Sequence, residues 1–383
     1  MAETHLPIPV TVLTGFLGSG KTTLLQAALA SPELADAAVL VNELGEIGLD
    51  HHLLRRVDES TVVLASGCVC CTVRQDLADE LRLLEARRHR GEIPDFRRVV
   101  IETTGLADPV PVLSTFLQDP MLEAQYAADG VVTTIDAVNA PLAAARQREW
   151  VKQVAVADRL VLTKTDLVDT PERIAERDAL LTRLRALNPA APILDAAKGE
   201  ATPAALLSAG LYDPARKIPD VKTWLAAEAY AEAGHEQGHA HGHVHGHDHG
   251  HHHDPNRHDD RIRAFSLTSD KPIPGGTLEM FLELLRATHG PNLLRMKGIV
   301  NVAEMPDTPV VIHGVQHVFH PTATLPRWPD DDHRSRLVFI VRDIKPQTIR
   351  DLFEAFLGTA AIDRPDRAAL TDNPLVPFGG ADR

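Results

Sequence analysis

Apolar residues in the first half of the chain fall into short runs separated by stretches with helical spacing. Stretches such as 22–30 and 76–88 repeat apolar residues every three or four positions, as a helix does. The β-branched apolar runs lie at 8–14, 38–43, 61–66, 96–105, 129–137, 158–167 and 191–193. Continuous apolar strands that alternate with helices are typical of a parallel sheet covered on both faces. This half is therefore predicted to be α/β, with its chemistry at the carboxyl ends of the strands.

A polar segment at 234–260 interrupts this pattern, and its lack of an apolar face predicts a linker that does not pack. Strand patterns then follow at 261–269, 293–304, 308–320 and 335–343, with amphipathic helices at 276–290 and 345–358. We therefore expect a smaller C-terminal α+β domain, for which a ferredoxin-like order is one arrangement. The expected divisions are a first domain at 1–212, a linker at 213–260 and a second domain at 261–383.

Composition narrows the class of protein. The chain has 383 residues, 44% of them hydrophobic, which is enough for sizeable cores in about two domains. A formal net charge of −14 and an aromatic content of 4% argue against a nucleic-acid partner. No apolar run approaches the roughly 18–20 residues of a membrane span, and the first residues lack a secretory pattern. We expect a cytoplasmic protein with no membrane partner.

The sequence GFLGSGKT at 15–22 matches the phosphate-loop pattern GxxxxGK[ST] between a predicted strand and a predicted helix. Glycines such as Gly15, Gly18 and Gly20 let backbone N–H groups approach phosphates, and the helix presents its positive end. Lys21 is expected to bridge the β- and γ-phosphates, and the Thr22 hydroxyl to bind Mg²⁺. This pattern predicts a P-loop NTPase, and the alternative is a glycine-rich turn with a chance lysine.

Two later strand ends carry residues suited to a nucleotide. Glu102 could hold the Mg²⁺ shell or orient water, and the Gly105 N–H could sense a γ-phosphate. In TKTD at 163–166, Asp166 could accept hydrogen bonds from guanine N1 and its exocyclic amine, a donor pair that adenine lacks. The Lys164 stem could lie over the base. This segment is similar to the NKxD guanine motif with Thr163 in place of Asn, so we expect GTP, and exposed strand-end turns are the alternative.

All three cysteines of the chain, Cys68, Cys70 and Cys71, lie within four positions just before a predicted helix. Thiolates at a helix N-terminus favour metal binding, and three sulfurs fill three of the four tetrahedral positions around Zn²⁺. The same sulfurs could hold Co²⁺ or Cu⁺. A fourth position that is open or shared with a partner suits metal transfer better than permanent structure, whereas inert buried cysteines are the alternative.

Two polar segments are further candidates for metal binding. In the acidic loop at 42–50, Asp50 could reach a Mg²⁺-bound water and Glu43 could touch the thiol site, although a solvated loop is an equal alternative. The chain has 20 histidines, and 11 of them lie at 235–258, where they could gather Zn²⁺, Ni²⁺, Co²⁺ or Cu²⁺ with little selectivity. The alternative is a polar linker whose metal affinity is incidental. The candidate ligands in this tract are His239, His241, His243, His245, His247 and His249.

Three other histidines, His313, His317 and His320, have helix spacing inside a predicted strand region. That spacing is no sign of a site in a strand, so we expect structural roles for them.

The order of these motifs resembles the CobW-type metal-chaperone GTPases, which are related to the hydrogenase and urease nickel-maturation GTPases. The resemblance rests on GFLGSGKTTLL, VNELGEIGLD, GCVCC, IETTGLADP, TKTD, the His-rich linker and LRMKGIVNV. It implies a GTPase that uses Mg²⁺ and delivers a transition metal, most often zinc and otherwise cobalt or nickel, to a client metalloprotein apoenzyme. The resemblance leaves the oligomeric state open, and a homodimer is one of the alternatives.

The resemblance also implies a role for each matching residue. Lys21 and Glu102 would be catalytic, and Cys68, Cys70 and Cys71 would bind the transported metal, for which two of the three can suffice. Thr22 and Asp50 would bind magnesium, and Glu43 would belong to the acidic loop. The implied nucleotide ligands are Gly15, Gly18, Ser19, Gly20, Lys21, Thr22, Thr23, Gly105, Lys164 and Asp166.

A mechanism follows as a hypothesis. GTP would order the acidic loop and the loop after Glu102, which would tighten the thiol site, and hydrolysis would loosen it for the client. A metal store that uses the His tract, and a P-loop phosphotransferase with a small acceptor, are the alternative functions.

Overall fold

The computed structural model describes residues 7–34, 36–42, 62–66, 73–117, 119–140, 148–207, 261–319 and 322–358. These residues form two sheets, one within 7–207 and one within 261–342. Among the described helices, none has both the length and the apolar character that crossing a bilayer requires.

The first sheet contains seven described strands, and all of their pairings are parallel. The strands are β1 (Ile8–Gly15), β2 (Ala37–Asn42), β3 (Val62–Ser66), β4 (Arg98–Glu102), β5 (Tyr126–Asp136), β6 (Arg159–Thr163) and β7 (Ile193–Asp195). Their order in the sheet is β3-β2-β4-β1-β5-β6-β7. Because β1 lies between β4 and β5, the loop that follows β1 is flanked by the carboxyl ends of both strands.

Helices connect these strands. They are α1 (Lys21–Leu29), α2 (Val73–His89), α3 (Pro109–Leu117), α4 (Pro120–Gln125), α5 (Arg148–Val156), α6 (Pro171–Leu187) and α7 (Pro203–Leu207), with 3₁₀ turns at Pro32–Leu34 and Thr165–Leu167. One face of the sheet packs against α2 and α3. Two separate apolar clusters join the sheet to α1 and to the pair α5 and α6. The predicted parallel sheet with helices on both faces is therefore confirmed.

The second sheet is antiparallel and carries two helices. Its strands are β8 (Ile262–Ser269), β9 (Leu293–Val300), β10 (Val310–Val315), β11 (Val318–Phe319), β12 (Ala323–Thr324) and β13 (Ser335–Arg342). The helices are α8 (Gly275–His289) and α9 (Pro346–Phe356), and a 3₁₀ turn follows at Gly290–Asn292. The order is β11-β10-β9-β13-β8, with β12 paired to β10. The smaller α+β domain is thereby confirmed.

Two details of this domain differ from its sequence pattern. The segment 308–320 reads as one strand but turns at Gln316, which has a left-handed φ of 54°, and so gives β10 and β11. Strands β8 and β9 lie on either side of β13, which makes a split β-α-β unit of the kind found in ferredoxin-like folds. Here, however, the strand that fills the gap is β13 and not β10, the strand directly after β9.

The two sheets belong to one packed structure. One face of the second sheet covers α8 and α9, and its other face lies against the first domain, where Leu294 and Ile340 pack on Ala155. Val315 and Val318 join the apolar cluster of α2 and α3. The C-terminal domain therefore contacts α3 and α5, the helices that follow β4 and β5 in the chain.

Candidate functional site

The P-loop lies at the carboxyl end of the central strand β1. Gly15, Gly18 and Gly20 have φ values of 144°, 72° and 87°, a region that side chains with a Cβ rarely adopt. A Cβ at Gly15 would also lie only 2.2 Å from the Thr134 hydroxyl oxygen. The loop can therefore keep this shape only with glycine at these positions, and α1 begins directly after it at Lys21.

The Lys21 side chain is folded back on this loop. Its Nζ donates to the carbonyl oxygens of Gly15 at 2.9 Å and Phe16 at 3.2 Å. Burial lowers the pKa of Lys21, and the nearby Glu102 carboxylate offsets part of that effect. Two carbonyl oxygens thus bind the buried ammonium of Lys21. The oxygens of a bound phosphate could take their place.

Thr22 and Glu102 join the P-loop helix to the end of β4. The Thr22 hydroxyl donates to Glu102 Oε1 at 2.7 Å, and the Glu102 side chain is buried. A hydroxyl and a carboxylate are oxygen ligands of the kind Mg²⁺ prefers. These two side chains fit a magnesium ion; the sequence predicted Thr22 as a ligand and left Glu102 either to hold the Mg²⁺ shell or to orient water.

The loop after Glu102 lies against the P-loop. A Cβ at Gly105 would come within 2.6 Å of the Leu17 backbone nitrogen, so only glycine permits this approach. The neighbouring Thr104 has a buried hydroxyl with no hydrogen-bond partner among the described residues. The sequence placed Gly105 near the nucleotide, and the structure brings it to the phosphate loop.

The other predicted phosphate-loop residues differ in exposure. The Ser19 side chain is buried, and its hydroxyl lies 2.6 Å from Thr134 Oγ1, so it faces β5. Gly18 and Thr23 are exposed. Ser19 can therefore serve a phosphate only through its main chain.

The TKTD segment ends β6 beside the P-loop. The Thr163 hydroxyl donates to the Ser19 carbonyl oxygen at 2.8 Å, and Lys164 Nζ donates to the Gly18 carbonyl oxygen at 2.8 Å. Lys164 also pairs with Asp136 at 2.7 Å. Asp166 is exposed at the 3₁₀ turn after the strand. Thr163, which stands where the guanine motif has Asn, thus forms a hydrogen bond to the P-loop.

Three residues of this region were not found from the sequence. Asp136 ends β5 and holds Lys164, and Asp195 ends β7 and accepts a hydrogen bond from Thr165 at 2.5 Å. Gln153 of α5 is fully buried and donates to the carbonyl oxygens in the loop after Glu102. A polar residue at each strand end is a sequence signal for the two aspartates, whereas Gln153 gives none.

Several predicted site residues lie outside the described residues. They are Glu43, Asp50, Cys68, Cys70, Cys71, His239, His241, His243, His245, His247 and His249. Within the described ranges, no group of three or more His, Cys, Asp or Glu side chains is arranged to hold a metal ion. The His313 side chain is buried on β10 opposite Lys297, and His320 also falls outside the described ranges.

A parallel sheet with a P-loop after its central strand, and with Thr22 against Glu102, defines a P-loop nucleotide-binding protein. Family models give the finer assignment. Residues 9–195 match the CobW/HypB/UreG nucleotide-binding domain, and residues 262–357 match the cobalamin synthesis protein CobW C-terminal domain. The chain belongs to the CobW family, which confirms the resemblance drawn from its motifs.

Individual relatives agree with this assignment. The zinc chaperone YjiA of Escherichia coli is 30% identical over 347 residues, which cover 91% of this chain and 98% of the relative. The zinc-regulated GTPase metalloprotein activator 1 of Schizosaccharomyces pombe is 38% identical over 182 residues, covering 46% of this chain and 43% of the relative. A crystal structure of Zn(II)-bound YjiA GTPase from E. coli has a TM-score of 0.63 at 26% identity, covering 92% of this chain and 99% of that one.

Proposed function

We propose that this chain is a GTP-hydrolysing zinc chaperone that loads Zn²⁺ under nucleotide control and passes it to a client metalloprotein. The observation that carries the nucleotide half is the 2.7 Å hydrogen bond between Thr22 and Glu102, which places a hydroxyl and a carboxylate together beside the P-loop. Support for zinc comes from the relatives, which include a protein named as a zinc chaperone and a zinc-bound GTPase structure.

In the nucleotide half, the chain's own residues have separable roles. Lys21 would leave its carbonyl partners and neutralise the phosphates, and Thr22 and Glu102 would hold magnesium, with Asp50 as a further ligand through water. When bound, Mg²⁺ would offset the charge of the β- and γ-phosphates. The proposed phosphate ligands are Gly15, Gly18, Ser19, Gly20 and Thr23.

We assign the binding site for the guanine base to the carboxyl ends of β6 and of the strands beside it. Asp166 reads guanine N1 and the exocyclic amine, and the Lys164 stem lies over the base. Exposure of Asp166 leaves it accessible to an incoming base. Glu102 positions the attacking water, and Gly105 senses the γ-phosphate from its place against Leu17.

The metal half is assigned to Cys68, Cys70 and Cys71, with Glu43 as a further candidate ligand. In the sheet, Ser66 at the end of β3 pairs with Asn42, and the adjacent residue Val41 pairs with Glu102. The chain thus leaves β3 only two strand spacings, roughly 10 Å, from the magnesium ligand. A nucleotide-dependent shift at Glu102 therefore takes place near the strand end that leads in sequence to the thiol segment.

The remaining assignments concern the whole chain. The proposed domains are 1–212 and 261–383, joined by a linker whose His tract gathers metal without selectivity. The two family matches, 9–195 and 262–357, fall inside these limits. The client is an apoenzyme that requires zinc.

Zinc affinity measured with a non-hydrolysable GTP analogue and with GDP tests the proposal. We expect binding at least about fivefold tighter with the analogue, since coupling between sites usually has that size or more. Repeating the titration with Co²⁺ and Ni²⁺ establishes the preferred metal. Equal zinc affinity in both nucleotide states would show that the protein is no nucleotide-driven chaperone.

Two variants locate the metal site. Changing Cys68, Cys70 and Cys71 together to Ser should abolish the tight, nucleotide-dependent zinc binding. Deleting residues 235–258 should remove only weak binding. If the deletion instead removes nearly all bound zinc, the protein is a metal store that uses its His tract.

A further inference from the structure

The buried Gln153 of α5 holds the loop after Glu102. Its Nε2 donates to the carbonyl oxygens of Gly105 at 3.3 Å and Ala107 at 3.0 Å. Its Oε1 is buried and has no hydrogen-bond partner among the described residues. Gln153 therefore contacts this loop through its amide donor alone.

A second residue of α5 strengthens this contact. Lys152 Nζ lies 3.1 Å from Asp108 Oδ2, and Asp108 Oδ1 accepts a hydrogen bond from the Val110 N–H in the first turn of α3. The loop from Gly105 to Asp108 is thus held by two consecutive residues of one helix. On its other side, Gly105 lies against the P-loop at Leu17.

The far end of α5 is held by the C-terminal sheet. Arg295 of β9 donates from Nη1 to the Val156 carbonyl oxygen at 2.6 Å and pairs through Nη2 with Asp158, which is also buried. Lys297 Nζ lies 3.1 Å from the same carboxylate. Val156 is three residues beyond Gln153, or about 4.5 Å along the helix axis.

Further hydrogen bonds hold α5 and the residue after it against the first domain. The Thr133 hydroxyl donates to the Gln153 carbonyl oxygen at 2.9 Å, and Asn188 Nδ2 donates to the Val154 and Ala157 carbonyl oxygens at 2.8 and 2.9 Å. A helix held in this way moves as a unit and does not absorb a displacement at one end. A displacement of the loop at Gly105 would then be transmitted along about one helical turn to Val156, whose carbonyl oxygen binds Arg295.

We infer that Gln153 is a positioning residue that couples the loop after Glu102 to strand β9 through helix α5. The nucleotide state thereby sets how the C-terminal domain sits on the first domain. The loop sits between the P-loop and Gln153, so a γ-phosphate that draws Gly105 changes the hydrogen bonds to Gln153. This inference rests on the proposed GTP-dependent function and adds the path by which the C-terminal domain receives the signal.

Amide hydrogen exchange on the full chain tests the inference, with Mg²⁺ and either GDP or the imido analogue of GTP, and without zinc. In the unmodified protein, exchange of the β9 peptide should differ at least about fivefold between the two nucleotides. Gln153→Met keeps the side-chain volume and removes the donor. It should bring the two β9 rates within about twofold while the analogue still binds.

The control variant carries the same Gln-to-Met substitution at a different position. Gln347 is exposed on α9, and Gln347→Met should leave the nucleotide-dependent difference at β9 intact. A merely structural role for Gln153 would speed exchange equally in both nucleotide states and would keep their ratio. A preserved ratio in Gln153→Met therefore overturns the inference.

A second variant tests the path from its other end and does not depend on how Gln153→Met folds. Arg295→Lys keeps a positive charge beside Asp158 but cannot also donate to Val156 in the same geometry. Because coupling is reciprocal, this change should alter the ratio of analogue to GDP affinity, although Arg295 is remote from the P-loop. An unchanged ratio would overturn the inference.

The outcomes for the unmodified protein separate the two proposals. Failure to bind either nucleotide would overturn the proposed function itself. Tight binding of both nucleotides with identical β9 exchange would overturn only the coupling through Gln153.

Discussion

The Thr163 hydroxyl donates a hydrogen bond to the Ser19 carbonyl oxygen across 2.8 Å, although the two residues are 144 positions apart. The Ser19 hydroxyl lies 2.6 Å from Thr134 Oγ1, which donates to the Thr14 carbonyl oxygen at 3.3 Å. Directly after β4, the Thr103 hydroxyl donates to Thr14 Oγ1 at 2.9 Å. A row of hydroxyl groups behind the P-loop thus links the ends of β4, β1, β5 and β6.

The first prediction removes one end of this row. Thr163→Val keeps the side-chain shape but leaves the buried Ser19 carbonyl oxygen without this donor, which should lower the free energy of unfolding by about 1–3 kcal/mol. GTP and GDP should both bind more weakly, because the P-loop loses a link to β6. Urea unfolding and titration with fluorescent nucleotides measure the two effects.

Thr182→Val is the matched control, since Thr182 is exposed on α6 and its hydroxyl donates to the carbonyl oxygen of Asp178 in the same helix. It should change neither stability nor nucleotide affinity appreciably. If Thr163→Val is destabilised but binds nucleotides normally, the row supports the fold and has no part in the site.

The second prediction concerns the approach of the loop after Glu102 to the P-loop. In Gly105→Ala, the new Cβ would lie 2.6 Å from the Leu17 nitrogen, so one of the two loops must move. We expect GTP hydrolysis to fall at least about tenfold, because a small misplacement of catalytic groups is costly. Single-turnover hydrolysis and GTP affinity, measured separately, show whether the chemical step or binding is affected.

The control for this change is Gly276→Ala in α8, where no atom lies within 4 Å of the new Cβ. It should leave hydrolysis unchanged. Normal hydrolysis by Gly105→Ala would mean that the loop need not lie against the P-loop during the reaction.

The sequence predicted the strands and the P-loop because both depend on local patterns. Runs of apolar β-branched residues form the strands, and GFLGSGKT fixes its own loop. It could not predict contacts that depend on strand order. Gln153 and Gly105 are 48 positions apart, and they meet only because α5 packs behind β1 and β5. Likewise, the turn at Gln316 has no glycine to indicate it.

The third prediction is a pH dependence of stability that originates at Asp129. Burial raises the pKa of Asp129 to about 6; Arg98, Thr11 and Arg159 oppose the rise, and Asp158 adds to it. The folded protein therefore binds more protons than the unfolded chain between the ordinary pKa of 3.8 and about 6. The contribution of Asp129 to the free energy of unfolding is fully present below pH 3.8 and is lost as the pH rises through about 6. The shift corresponds to about 3 kcal/mol.

Asp129→Asn isolates this contribution because it removes the charge and keeps the shape. The variant should be more stable than the unmodified protein at pH 7.5, and the difference should shrink as the pH falls toward 4.5. Thermal unfolding at several pH values measures it. Asp95→Asn, at an exposed position, should show no such trend. A constant difference between Asp129→Asn and the unmodified protein across this range would contradict the prediction.

The last prediction concerns the ion pair between the two domains. Asp158 and Arg295 are each 4% exposed in their side chains, and Lys297 lies 3.1 Å from the same carboxylate. Asp158→Asn leaves both cations buried without their counter-ion, which should cost about 3–5 kcal/mol in unfolding free energy. Burial opposes ionisation of Asp158, but Arg295 and Lys297 hold its pKa below the usual 3.8. Its stabilisation is therefore present above pH 3.8 and is lost as the pH falls below that value.

A triple change separates the two sources of this energy. Asp158→Leu with Arg295→Met and Lys297→Met removes all three charges and their desolvation together, so it should recover much of the stability that Asp158→Asn loses. Glu283→Gln, which breaks an exposed pair with Arg286 on α8, is the control and should change little. Urea unfolding followed by circular dichroism measures all three variants. If the triple variant is as unstable as Asp158→Asn, the attraction between the charges, and not the cost of leaving cations unpaired, holds the domains together.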